Sequence, residues 1–119
     1  MKKILIIEDE ADILESVLLR LDVAGFLAIG MSDGQAGLEA IKREKPDLIL
    51  LDLSLPKLNG EQVCEMVKKD TMLADIPIII FTAAGNVDIA EKIRVLGARD
   101  YVAKPFDHKD LLAKIQALL

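Results

Sequence analysis

Short, uninterrupted apolar runs alternate along this chain with stretches in which apolar residues return every third or fourth position. The runs fall at residues 4–7, 26–29, 48–51, 78–81 and 101–103. Runs this brief, with no polar alternation inside them, predict strands covered on both faces. Between the runs, Leu14, Val17, Leu18 and Leu21 share one helical face, and Leu38 and Ile41 mark a second helix. Val63, Met66 and Val67 mark a third, Ile89, Ile93 and Leu96 a fourth, and Leu111, Ile115 and Leu118 a fifth. The punctuation agrees. Gly25 and Gly97 stand where helices should stop, and Asp33, Asn59 and Asp107 stand where they should start. Strand and helix in strict alternation predict an α/β fold, a doubly wound (βα)5 unit. Its parallel sheet has right-handed crossovers and helices on both faces.

Composition narrows the picture. The 119 residues suit one domain over residues 1–119, with a single core. A 52% hydrophobic and 29% charged chain is a compact globule rather than a disordered one. A net charge of -5 argues against direct contact with nucleic acid. The single cysteine, Cys64, permits no internal disulfide and fits a reducing cytoplasm. The apolar runs are far shorter than a membrane span. The opening Met1-Lys2-Lys3 followed by four apolar residues resembles a signal peptide only briefly, because Glu8-Asp9-Glu10 ends it. A buried strand is the better reading. No repeat, low-complexity tract or interior linker interrupts the chain.

In sheets of this kind, chemistry collects at the carboxyl ends of the strands, beside the switch in strand order. Glu8-Asp9-Glu10 follows the first strand, Asp52 ends the third, Thr82 ends the fourth, and the fifth runs into Lys104-Pro105. The second leads into Gly30, Met31 and Ser32, with nothing reactive. If the first and third strands are neighbours, Glu8, Asp9 and Asp52 crowd together. Two carboxylates about 4 Å apart repel by roughly 4 kcal/mol at an effective dielectric near 20. No basic residue lies near them in sequence, so a hard divalent cation with oxygen ligands is the expected neutraliser. Mg²⁺, with Mn²⁺ as an alternative, suits a site with few carboxylates. Asp52 is then a candidate nucleophile toward phosphorus, forming an aspartyl-phosphate. Thr82 offers a hydroxyl and Lys104 a cation for the phosphoryl oxygens.

Four segments carry a family resemblance over nearly the whole chain: Ile-Glu-Asp-Glu at 7–10, Leu-Asp-Leu-Ser-Leu-Pro at 51–56 with Asn-Gly at 59–60, Ile-Phe-Thr-Ala at 80–83, and Gly-Ala-Arg-Asp-Tyr-Val-Ala-Lys-Pro-Phe at 97–106. Each is weak alone; in this order and spacing they resemble the receiver domains of two-component response regulators. The resemblance implies a flavodoxin-like sheet in strand order 2-1-3-4-5. It implies that Asp52 accepts a phosphoryl group from a histidine kinase or phosphotransfer protein, and that the domain signals to an effector domain or protein rather than turning over a substrate. Asp9 and Asp52 would hold the metal, with Glu8 assisting and Ser54 giving its backbone carbonyl. Thr82 and the backbone N–H of Ala83 would hold phosphoryl oxygens, and Lys104 would pair with the phosphate. Tyr101 would be an aromatic switch, turning inward when Thr82 moves. The implied output surface is the fourth helix, fifth strand and fifth helix, including Lys92, Arg99, Asp100, Tyr101 and Lys109. A cis Lys104-Pro105 bond, and a monomer or phosphorylation-dependent dimer, complete the expectation. Ser54 and Ala84 flank the site in the family pattern and are candidates for tuning dephosphorylation.

The plainer readings carry their own expectations. Glu10 reads as a first-turn helix residue favoured by the macrodipole, and Asp12 as a surface residue. Cys64 reads as a small buried or half-buried helix residue. His108, the only histidine, reads as a surface first-turn residue rather than a phosphodonor. A flavin or nucleotide module on this fold would place a Gly-rich or hydroxyl-rich phosphate loop where three acids stand. An aspartate-nucleophile phosphohydrolase would usually carry a second acid at the position of Ser54. The chain stops on Ala117-Leu118-Leu119 within the last helical pattern, which fits either the front of a longer regulator or a stand-alone domain.

Overall fold

Each apolar run becomes a strand in the computed structural model, which describes residues 1–83 and 88–119. The elements follow as β1 (Lys3–Ile7), α1 (Ala11–Val23), β2 (Leu27–Met31), α2 (Gly34–Glu44), β3 (Leu48–Asp52), α3 (Gly60–Lys69), β4 (Ile78–Ala83), α4 (Ile89–Leu96), β5 (Asp100–Lys104) and α5 (His108–Leu118). The strands are parallel, in the order β2-β1-β3-β4-β5, the doubly wound flavodoxin-like arrangement. The order reverses between β1 and β3, so the crevice of the fold opens where those two strands end.

Strand alternation divides the core in two. Leu5, Ile7, Ile49, Leu51, Ile78 and Ile80 face one side, where they meet Leu38, Ile41, Val63, Val67 and Ile89. Ile4, Ile6, Leu48, Leu50, Ile79 and Phe81 face the other, against Val17, Leu21, Leu111 and Ile115. Covered by helices on both faces, β1, β3 and β4 are the continuous apolar runs of the sequence. The outer strands differ from the expectation of double-sided burial. Every residue of β2 is half-buried or exposed, and β5 buries only Val102 fully. Among the described residues each pairs on one side only.

The start of β2 also differs, at Leu27 rather than Phe26. The reason lies in the end of α1. Gly25, in the left-handed region at φ 94°, donates its N–H to the Asp22 carbonyl, and Phe26 donates to the Leu21 carbonyl. This paired closure satisfies two helix-end carbonyls and commits the Phe26 amide to the helix rather than the sheet. At the other ends the caps follow the sequence signals. The Asp33 side chain accepts from Ala36 N–H, Asn59 and Gln62 form a reciprocal capping box, and the Asp107 side chain accepts from Lys109 N–H.

The third helix turns slightly from the face its pattern suggested. Val63, Cys64 and Val67 are buried, whereas Met66 lies 46% exposed. Only Met66 departs from the expected inner face, and Cys64 is buried in line with its reading. Its thiol donates to the Leu96 carbonyl at 3.4 Å, and burial pushes it up to about 11. The thiolate is the reactive form, so the folded protein should resist thiol reagents at neutral pH. A kinetic assay with a disulfide reagent should show modification far slower than in denaturant; equal rates would mean that Cys64 is accessible. Because the fold favours the protonated thiol, this residue's contribution to stability declines as pH rises from its ordinary value of 9.0 toward about 11.

Candidate functional site

Asp52 is the last residue of β3, at the carboxyl end of the central strand, and only 5% exposed. Its Oδ1 accepts from the backbone N–H of Ser54 at 3.0 Å. Its Oδ2 lies 3.2 Å from the Lys104 ammonium. Lys104 ends β5, two strands away across β4, and its long stem carries the charge toward Asp52 on β3.

Glu8 follows β1 and is fully buried. Its Oε2 accepts from the Glu10 N–H at 3.0 Å, and its Oε1 lies 2.5 Å from Lys104 Nζ. That second approach is close in distance but not aligned as a hydrogen bond, so Oε1 keeps unmet acceptor capacity. Burial, aided by the Asp52 charge, raises the Glu8 carboxyl above its ordinary 4.5, against the opposing pull of Lys104 and the Glu10 amide. Burial also works to lower the Lys104 ammonium, but its close pairing with Glu8 and its bond and charge contact with Asp52 prevail and hold it above its ordinary range. The ammonium is therefore held in its charged form, while burial disfavours the charged form of the carboxylate beside it.

Asp9 is exposed on the rim, and one carboxylate oxygen from each of Glu8, Asp9 and Asp52 falls within 4.8 Å of the others. Three acids against one lysine leave the site negative. That excess, with the under-bonded Glu8 Oε1 and the open side of Asp9, fits a hard divalent cation bound through oxygen. Sequence proximity had suggested no cation but a metal; the fold supplies Lys104 as a partial one.

Thr82 is buried beside this cluster, one residue before the end of β4 rather than at its end. It lines an open pocket of about 330 Å³ together with Asp52, Ser54, Asn59, Glu61 and Lys92. Ala83 closes β4 opposite Lys104; Ala84 lies outside the described residues. Tyr101 is half-buried against the core beside α3 and α4. Its carbonyl accepts from Lys114 Nζ at 2.7 Å, and the same ammonium lies 5.3 Å from the ring centroid. The Lys104-Pro105 bond is cis.

Several residues take places that the sequence did not suggest. Glu10 is the N-cap of α1 rather than a first-turn residue, and its carboxylate lies 3.6 Å from Lys104. His108 is half-buried rather than on the surface. It packs edge-on against Phe106, and its Nε2 is 3.5 Å from Ser16 Oγ. Gly60, part of the Asn-Gly motif, touches the backbone of Asp52 and Leu53 so closely that a Cβ there would lie 2.3 Å from the Asp52 carbonyl. Glu61 and Lys92 form a 2.7 Å ion pair between α3 and α4 at the pocket mouth. No local sequence signal could have paired residues on separate helices.

Comparison with known proteins adds to this geometry. Residues 4–116 match the family described as response regulator receiver domain. The chain is 41% identical over 121 residues to the DNA-binding dual master transcriptional regulator RpaA of Synechocystis sp., covering 100% of this chain and 49% of that protein. It is 40% identical over 118 residues to the phosphate regulon transcriptional regulatory protein PhoB of Pseudomonas aeruginosa, covering 99% and 52% respectively. The chain thus spans about half the length of the curated relatives it matches. Among solved structures it is similar to the chemotaxis response regulator CheY4 of Vibrio cholerae, with a TM-score of 0.93, 25% identity, and coverage of 100% of this chain and 99% of that one.

Proposed function

The chain belongs to the family of response regulator receiver domains, the signalling modules of two-component systems, and on that premise we propose that Asp52 is its phosphoacceptor. One observation carries the assignment. Asp52 is the carboxylate at the tip of the central strand that meets both the Lys104 ammonium and the acidic cluster while facing a pocket shared with Thr82. A carboxylate oxygen attacks the phosphorus of a phosphohistidine, the phosphorus–nitrogen bond breaks, and the imidazole leaves. The Ser54 N–H holds Oδ1 and so orients the nucleophile. Lys104 stands beside Oδ2, where it can pair with the incoming phosphoryl oxygens. The Thr82 hydroxyl and Ala83 N–H serve the remaining oxygens.

Asp9, Asp52, Glu8 and the backbone carbonyl of Ser54 would hold a divalent cation, Mg²⁺ foremost with Mn²⁺ as an alternative, which when bound offsets charge on the transferring group. All of residues 1–119 form the receiver unit in this reading. Phosphorylation draws Thr82 toward the phosphate and frees space for Tyr101, altering the surface of α4, β5 and α5. The partners are a histidine kinase or phosphotransfer protein upstream and an effector domain or protein downstream. Relatives named as transcriptional regulators favour a DNA-binding effector as the output, with this acidic domain itself off the DNA. The site of action is the cytoplasm, as a monomer or as a dimer formed on phosphorylation. Among the described residues no helix is long and apolar enough to cross a membrane.

Incubation with acetyl phosphate, read by intact mass, tests this reading. One phosphoryl adduct per chain should form with Mg²⁺ present and none with a chelator. Millimolar Mg²⁺ should also raise the melting midpoint, because a ligand that binds only the folded state stabilises it by mass action. Multiple adducts, or labelling and melting that ignore the metal, would count against the site.

A further inference from the structure

We propose that Lys92 is a second phosphoryl-sensing cation, which Glu61 holds at the mouth of the pocket until Asp52 is charged. The inference rests on Asp52 as phosphoacceptor and extends it to a residue on α4.

Among the described residues, Lys92 supplies the one ammonium that lines the pocket beside Asp52. Lys92 lies about one turn into α4, lines the pocket together with Asp52 and Thr82, and reaches across to Glu61 in the first turn of α3. Its partner distance is 2.7 Å, yet both side chains are substantially exposed, at 40% and 41%. An ion pair open to water is weak and screened by salt, so it is easily displaced. Lys104, by contrast, is nearly buried and already divided between Glu8 and Asp52. A phosphoryl group adds close to two negative charges and three strong acceptor oxygens. That is more charge than a single shared lysine can meet, and it appears in the pocket that Lys92 lines. Glu61 and the phosphoryl group then compete for one ammonium, and the group with the greater charge has the advantage.

The pair has two arrangements, Lys92 with Glu61 or Lys92 with the phosphoryl group, and they differ in how α4 stands against α3. A local charge would therefore bias a two-state contact between helices. This route to α4 is separate from the movement of Thr82 and Tyr101.

Removing the two side chains should have opposite effects. Beryllofluoride with Mg²⁺ serves as the phosphoryl probe, and ¹⁹F NMR titration of the whole chain gives the affinity. Lys92→Met should weaken binding by about 5- to 10-fold through the loss of a charge-assisted contact. Lys92→Arg should restore most of that loss. Glu61→Gln should tighten binding by about 2- to 5-fold, because it frees Lys92 and removes a competing negative charge. A merely structural ion pair would shift both variants in the same direction. Equal shifts, or a Lys92→Met protein that binds as well as the parent, would overturn the inference while leaving Asp52 in place. Failure of the parent chain to bind beryllofluoride would instead overturn the phosphoacceptor reading and this inference with it.

Discussion

The Asp52→Asn protein should take no phosphoryl group from acetyl phosphate, a complete loss, and should nonetheless melt slightly higher than its parent in chelator. The first result follows from chemistry. The amide is a poor nucleophile, and among the described residues no other carboxylate stands both against Lys104 and on the Thr82 pocket. The second follows from charge. Without metal, Asp52 faces Glu8 and Asp9 with oxygens inside 4.8 Å and Lys104 at 3.2 Å. At an effective dielectric near 20, the two repulsions are worth at least roughly 3.5 kcal/mol each and the one attraction about 5 kcal/mol. The balance is slightly repulsive, and Asn also removes the cost of burying a charge. Lys104 keeps Glu8 as a partner in the variant. Thermal melts in chelator and in Mg²⁺ check the pair of outcomes: a modest rise without metal, and most of the metal-induced rise gone. A variant that melts well below its parent would show that the Lys104 attraction dominates.

A Gly60→Val substitution should be severely damaging to the fold around the site. The Cβ would lie 2.3 Å from the Asp52 carbonyl oxygen and 2.5 Å from Leu53 Cα, so helix and strand backbones would have to separate by about 1 Å to relieve it. That displacement would disturb the Asn59–Gln62 capping box and the buried Val63 and Val67 behind it. Overpacking of this kind costs about 1–3 kcal/mol or more. The loss of a cap adds about 1 kcal/mol. In a domain of this size such a sum should lower the melting midpoint by roughly 10–20 °C. Labelling should slow as well, because the displaced backbone is that of the nucleophile. Gly30→Ala is the control. Its Cβ would meet only the flexible tips of Leu14 and Leu18, at 2.9 Å, and the midpoint should move far less. If the two variants melt alike, the close approach at Gly60 is not what fixes this loop.

Most of the fold was legible because its determinants are local. Four-residue apolar runs can be buried on both faces only at the centre of a helix-covered sheet, and β1, β3 and β4 are there. The edges were misread for the same reason. Phe26-Leu27-Ala28-Ile29 looks like a core strand, but nothing in those residues reveals that one flank has no neighbour, or that the Phe26 amide closes α1. Burial of Cys64 was legible, but the exposure of Met66 was not, because neighbouring registers of one helix differ by a rotation that apolar spacing does not resolve. At the site, the strand-end rule brought Glu8, Asp9, Asp52, Thr82 and Lys104 to one end of the sheet. What it could not show was contact. The Lys104 bridge to Glu8 and Asp52, the Ser54 amide on Oδ1, and the Glu61–Lys92 pair all join residues through space, and each needed the assembled sheet to be seen.

Phosphorylation at Asp52 would create an acyl phosphate. An acyl phosphate is reduced by borohydride, which converts the phosphorylated carboxyl to an alcohol and leaves free carboxylates untouched. Chain labelled by acetyl phosphate in Mg²⁺, then reduced, digested and sequenced by mass spectrometry, should carry homoserine at position 52 and nowhere else. An unchanged Asp52 in fully labelled protein, with the modification at another carboxylate or at His108, would contradict the assignment.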